Sequence, residues 1–425
     1  SQTPYLNLFI HTTRLLSYFF SFILNREKHR TRTRKFLMDW LSHVSYLRIK
    51  GAKNLNILML YASAGGGHKK AAEVVKSYLL TQNPNHTVRL VDTLKEVNQL
   101  ADVFCCDGYQ LAAKYAPWVF GTFYKAADQE TPIANLVPAI TARLSRKLLP
   151  LIEEFQPDVI ISTYHFSAQM VSHLKGTGQI QTPLVCIVTD YGPHRAWISP
   201  YVDAYVVSDE GMAGQLVARG VSREIIYPFG IPVEQKFFQE ENKEQLLSHL
   251  GFRPNIPTLL FMAGSFGVRS MLDIYQKIDA LPLPFQCIVI TGKNPKLYRQ
   301  IENIRLYSPH RTKLVYFTSH VEKYMHAADL LLTKPGGLTI SEALASGLPM
   351  AVFGAIPGQE EDNERFLRSH QMGISICPDT CRPILSRLLG NPQQIEKMRN
   401  ACKAFDKSDC AKNICKLIHQ LADPT

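Results

Sequence analysis

Residues 57–80 read ILMLYASAGGGHKKAAEVVKSYLL: a short apolar run, a glycine turn and a helix-forming stretch. Six apolar residues ended by a turn are too few for a buried helix and suit a strand covered on both faces. The turn Ala64-Gly65-Gly66-Gly67-His68 then opens the helix. Glycines remove the Cβ barrier to close approach, and a helix N-terminus offers free N–H groups, so the turn suits an anion. It is neither the G-x-G-x-x-G fingerprint nor a Walker A loop. His68 adds a group that could take a proton from an acceptor hydroxyl, its plainer reading being a residue that only closes the turn.

The same grammar continues outward. TVRLVD (87–92), DVIIST (158–163), PLVCIVTD (183–190) and DAYVVS (203–208) are further apolar, β-branched runs separated by helical stretches. It then restarts with TLLFMAGSFG (258–267), CIVITG (287–292), KLVYFT (313–318), DLLLTKPGG (329–337) and PMAVFG (349–354). The expected fold class is therefore α/β, with two Rossmann-like, doubly wound domains facing a central cleft. The expected boundaries are an arm at 1–50, an N-terminal domain at 51–228 with an aromatic helical insertion at 93–150, and a linker at 229–257. A C-terminal domain at 258–405 and a closing helix at 406–425 complete the chain.

Composition narrows the class. The 425 residues carry a formal charge of +11 and are 46% hydrophobic, which excludes disorder and a small disulfide scaffold. Residues 1–50 alone hold +7, so the basic balance describes one end and gives no case for nucleic-acid binding by the whole surface. Tyr5–Leu24 is rich in Leu and Phe, is interrupted by His11-Thr12-Thr13-Arg14, and is followed by a basic run from Arg26 to Lys35. The positive charges follow the apolar stretch, unlike those of a secretory signal. The expectation is a helix lying in an anionic membrane interface on the cytoplasmic side; a full span and a helix packed on the body are the alternatives. Nine cysteines without a C-x-x-C pair read as reduced, mostly buried thiols, with no metal site.

Three further turns could carry chemistry. Gly264-Ser265-Phe266-Gly267 repeats the glycine turn at the second unit. In Thr333-Lys334-Pro335-Gly336-Gly337-Leu338-Thr339-Ile340-Ser341-Glu342, a strand ends in a turn suited to a diphosphate, and a carboxylate follows one helical turn later, suited to ribose hydroxyls. Pro357-Gly358-Gln359-Glu360-Glu361-Asp362-Asn363 offers amides and carboxylates for sugar hydroxyls, although Glu361 and Asp362 also read as a solvated first turn.

TKPGGLTISEALASGLP followed by PGQEEDN resembles the nucleotide-sugar signature of glycosyltransferase family 28, and GGGH and TDYGPH point the same way. The nearest types are the monogalactosyldiacylglycerol synthases and the processive diacylglycerol glucosyltransferases, over about residues 55 to 405. The resemblance implies a GT-B architecture and an inverting transfer of glucose or galactose from a UDP-sugar to diacylglycerol, with no essential metal or other cofactor. No D-x-D triplet occurs in the chain. By the same resemblance, Gly264, Ser265, Gly267, Lys334, Pro335, Gly336 and Gly337 surround the diphosphate and Glu342 holds the ribose. Gln359 and Glu360 hold the hexose, with Asn363 supporting their loop. Gly65, Gly66, Gly67, Asp190 and His194 line the acceptor side. His68 is the candidate base; His165, where galactolipid enzymes also carry a histidine, is its rival. A lipid-linked cell-wall acceptor, a UDP-sugar epimerase and an idle binding protein are the competing readings.

Overall fold

The computed structural model describes residues 53–63, 66–97, 141–262, 268–356 and 358–423. The arm at 1–50, residues 98–140 of the insertion, and the site candidates Gly65, Gly264, Ser265 and Gly267 lie outside them; of Gln359 only the backbone is described. Residues 55–425 form one compact unit.

The first sheet contains β1 (Asn56–Tyr61), β2 (Thr87–Asp92), β3 (Val159–Ser162), β4 (Leu184–Ile187), β5 (Ala204–Val206) and β6 (Ile226–Tyr227), in the order β2-β1-β3-β4-β5-β6. All its pairings are parallel. Alternation along each strand feeds two cores, Leu58 and Leu60 on one face and Ile57 and Met59 on the other. That two-sided burial is why the strands read as unbroken apolar runs. Helix α1 (Gly67–Gln82) buries Ala71, Ala72, Val75 and Leu79 on one stripe, and α2 (His165–Gly176) follows β3.

The second sheet contains β7 (Thr258–Met262), β8 (Gln286–Ile290), β9 (Thr312–Val315), β10 (Leu330–Thr333), β11 (Met350–Val352) and β12 (Gly373–Ser375), in the order β12-β11-β10-β7-β8-β9. It too is parallel throughout. Its helices include α3 (Lys243–His249), α4 (Pro295–Arg305), α5 (Val321–Ala327), α6 (Gly337–Ala345), α7 (Gln359–Ser369) and α8 (Pro392–Ala404). Strands β6 and β12 were not anticipated; they have two and three residues and sit at sheet edges, where no long apolar run is needed.

Two sequence expectations change. The stretch 229–257 is not a free linker: Ile231, Val233, Phe237, Leu247 and Phe252 are buried in the second half's core, and α3 rests on α5. The last helix, α9 (Cys410–Ala422), does not close the C-terminal domain as expected for 406–425; α8 packs there instead. Helix α9 crosses back and buries Cys410, Ile414, Cys415, Leu417 and Ile418 against Ile57, Met59, Val75 and Leu79 of the first half. One apolar stripe at i, i+4, i+7 and i+8 fits the strip beside α1 that the first half's own helices leave open. Among the described residues seven cysteines are free, six of them buried, and no helix is long and apolar enough to cross a membrane.

Candidate active site

In an open parallel sheet, ligands bind beyond the strand C-termini where the strand order reverses. Those points fall between β1 and β3 in the first sheet and between β7 and β10 in the second. His68 and His165 follow the first pair, and the turn 334–337 follows β10 of the second. Three helices start here behind glycines with no side-chain cap: α1 behind Gly66, α6 behind Gly336 and α7 behind Gly358. Elsewhere Asn242, Asn294 and Asn391 cap helix starts. No side chain therefore competes at these three starts for the helix N–H groups, which suits an anion. Gly66 (φ 78°) and Gly358 (φ 98°) adopt backbone that side chains resist.

On the acceptor side the rings form one cluster. His68 lies 5.1 Å from Tyr164 and 6.3 Å from Trp197, and His165 lies 4.5 Å and 5.6 Å from the same two. Crowding disfavours charge on both imidazoles. Burial lowers His68 to about 4; burial, then the nearby His68 and His194, lowers His165 to about 3. Both are therefore neutral at pH 7. His68 Nδ1 is 2.9 Å from Thr189 Oγ1, and the Thr163 hydroxyl donates to the His68 carbonyl at 2.9 Å. With the proton on Nδ1, donated to Thr189, Nε2 keeps its lone pair for a substrate proton. Asp190 is buried and accepts from the Trp197 indole at 3.1 Å. His194 Nδ1 accepts from the Ala196 amide at 3.0 Å, capping a short turn.

The two halves meet directly at residues 189–192. Tyr191 N–H donates to Asn363 Oδ1 at 2.8 Å, and Asn363 Nδ2 donates to the Pro335 carbonyl at 3.0 Å. Ser341 Oγ donates to the Gly337 carbonyl at 2.8 Å, so its 2.8 Å contact with Tyr191 has the phenol as donor. The Tyr191 ring stacks on Phe366 at 4.2 Å. A Cβ on Gly337 would lie 2.1 Å from the Thr189 carbonyl oxygen, and one on Gly192 would lie 2.3 Å from Asp362 Cβ. Gly67 differs: its Cβ would meet Leu338 Cβ at an ordinary 3.5 Å.

Glu342 lies near a charge network that spans both halves. Lys70 pairs with Glu234; Lys236 pairs with Glu234 at 3.2 Å and with Glu322 at 3.3 Å; His320 hydrogen-bonds Glu322 at 3.1 Å. Three carboxylates face two ammonium groups. Burial first, with Glu234 and Glu322 adding to it, raises Glu342 to about 7 against the pull of Lys70 and Lys236. Glu360 Oε2 accepts from the Ile356 amide at 2.7 Å and pairs with Lys334 at 3.4 Å, tying the 354–360 loop to the Lys334 turn.

The structure thus brings together Gly66, Gly67, His68, His165, Asp190 and His194 on one side and Lys334, Pro335, Gly336, Gly337, Glu342, Glu360 and Asn363 on the other. Sequence reasoning gave no role to Thr189, Tyr191 or Ser341, nor to Lys70, Glu234, Lys236 and Glu322. The one available signal was TDYG ending a strand run, where a tyrosine beside a glycine has no place in the apolar pattern. Among the described residues no cluster of three His, Cys, Asp or Glu side chains could hold a metal ion.

Comparison with known proteins places these features. Monogalactosyldiacylglycerol (MGDG) synthase matches over residues 68–233, and the glycosyltransferase family 28 C-terminal domain matches over 258–414. A processive diacylglycerol beta-glucosyltransferase of Staphylococcus epidermidis is 30% identical over 369 residues, covering 86% of this chain and 92% of that protein. Among solved structures, Acinetobacter baumannii MurG superposes with a TM-score of 0.58 at 13% identity, covering 86% of this chain and 99% of its own. A UDP-GlcNAc 2-epimerase from Neisseria meningitidis gives 0.54 at 15% identity, covering 85% and 98%. The last two likenesses are of fold alone.

Proposed function

Since the chain belongs to glycosyltransferase family 28, we propose that it is an inverting enzyme that transfers glucose or galactose from a UDP-sugar to the hydroxyl of diacylglycerol, yielding a membrane glycolipid. The observation that carries this is the direct junction between the two halves: the residue that holds His68, Thr189, also abuts the Gly336-Gly337 turn.

The acceptor hydroxyl gives its proton to His68 Nε2 as its oxygen attacks the anomeric carbon. The bond from that carbon to the diphosphate breaks on the opposite face, which inverts the centre. Free N–H groups at the start of α6, with the turn 264–267, stabilise the charge that builds on departing UDP. Lys334 and Pro335 shape that turn, Glu342 accepts from the ribose hydroxyls, Gln359 and Glu360 hold the hexose, and Asn363 braces the loop. Gly65, Gly66, Gly67, Asp190 and His194 line the acceptor path. His165 stands as the second candidate base. No essential metal is required, so excess EDTA leaves turnover unchanged. The enzyme works as a peripheral protein at the cytoplasmic face, where the 1–50 arm meets an anionic surface.

Radiolabelled UDP-glucose and UDP-galactose, each offered with diacylglycerol vesicles, test the reading. Label in the lipid phase with one donor is expected. Label in neither lipid phase refutes it, and a free sugar product would favour an epimerase.

A further inference from the structure

Of the net +11, residues 1–50 hold +7 and residues 293–317 hold +5, so the remaining 350 residues sum to −1. The second basic segment is continuous in the chain: it contains α4, the connection after it, and β9, an edge strand paired only with β8. Leu297 and Ile301 turn α4's apolar side into the core, which leaves Lys296 and Arg299 exposed. Six large hydrophobic side chains are exposed among the described residues, and four of them lie here: Leu306, Tyr307, Tyr316 and Phe317. Tyr307 is 90% and Leu306 69% exposed, so neither contributes to packing. A lone exposed hydrophobe needs no explanation, but four in one segment of net charge +5 do.

Interleaved basic and large apolar side chains are what a bilayer surface selects: apolar tips enter the headgroup boundary while Lys and Arg meet lipid phosphates. A nucleic acid would instead need bare ring faces for stacking. Leu306 has no π-face, the Phe317 ring is covered by the Lys293 ammonium at 4.9 Å, and Tyr316 packs edge-to-face with Tyr298, which leaves Tyr307 as the one largely exposed ring of the four.

We propose that the α4–β9 edge is a membrane-docking surface of the donor-binding half, taking an anionic lipid bilayer, with Leu306 and Tyr307 at the headgroup boundary and Lys296 and Arg299 against lipid phosphates. This rests on the reading that the acceptor is a membrane lipid. A single weak anchor binds reversibly, and a second one multiplies retention at the surface.

The test uses the full chain, its K296Q/R299Q and L306S/Y307S variants, and vesicles of phosphatidylglycerol with phosphatidylcholine, in parallel with transfer to diacylglycerol in non-ionic micelles. Each basic residue near an anionic leaflet contributes about fivefold, so K296Q/R299Q should weaken binding to anionic vesicles about 30-fold at low salt, and hardly at all to phosphatidylcholine alone. L306S/Y307S should weaken it about tenfold or more, and should still do so at high salt. Micellar transfer should equal wild type in both. All four positions are exposed, and thermal melts verify folding. Unchanged vesicle binding in both variants overturns the docking surface and leaves the enzymatic reading intact. No micellar transfer by wild type overturns that reading instead. A loss confined to oligonucleotide binding or to self-association would also overturn the proposal, by giving the edge another occupant.

Discussion

Glu342 permits a quantitative test of the donor site. Its carboxyl sits at about 7 because burial and the neighbouring Glu234 and Glu322 outweigh Lys70 and Lys236. If ribose hydroxyls donate to it, binding needs the ionised form, and affinity follows the ionised fraction. That fraction is about 10/11 at pH 8 and about 1/11 at pH 6 for a group at 7, so affinity should fall about tenfold, or about 1.4 kcal/mol. Titration calorimetry with UDP-glucose suits the measurement, because its diphosphate has no terminal phosphate group to titrate in this range. His68 and His165, lowered to about 4 and 3, stay neutral throughout. E342Q should bind more weakly at pH 8 and show no slope. An H320Q control removes the imidazole that hydrogen-bonds Glu322. A flat wild-type profile, or a slope that survives E342Q or vanishes only in H320Q, refutes the assignment.

Other expectations are steric and energetic. Gly337→Ala puts a Cβ 2.1 Å from the Thr189 carbonyl and should lower kcat/KM at least about 100-fold, whereas Gly214→Ala, whose Cβ would meet nothing within 4 Å, should lie within about threefold of wild type. Steady-state kinetics decide, and equal effects would remove the junction from the argument. Asn363→Ala leaves the Tyr191 amide and the Pro335 carbonyl unpaired and should cost about 1–3 kcal/mol for each, read by urea denaturation. Ile414→Ala empties a fully buried site on α9 and should destabilise the protein by about 2–5 kcal/mol; a change under 0.5 would mean that the last helix adds little.

The glycine turns and ten of the twelve strands were legible because a parallel sheet covered on both faces writes its strands as unbroken apolar runs. His68 and Gly336-Gly337 were singled out in the sequence as glycine turns that end a strand run and open a helix. What stayed hidden depends on partners far apart in the chain. Tyr191 is bound by Ser341, 150 residues on, and by Asn363, 172 residues on. A closing helix was expected at 406–425, but nothing in its own residues names the sheet that buries Ile414 and Ile418. The state of Glu342 is less legible still, since it is set by lysines and glutamates drawn from α1, the connector and α5.

The junction also separates the two candidate bases. His165 and His68 have the same ring neighbours, and burial keeps both neutral. Only His68 hydrogen-bonds Thr189, whose own carbonyl fills the space beside Gly337. The chain Asn363–Pro335 and Asn363–Tyr191 holds that contact from the other side. Parting the halves would therefore withdraw the backing of the donor turn, while His68 keeps Thr189, which belongs to its own half. On the proposed roles, an open molecule keeps an oriented base but has no braced diphosphate site. Transfer therefore needs the halves together, because only then does the base held in one half stand against a braced leaving group in the other.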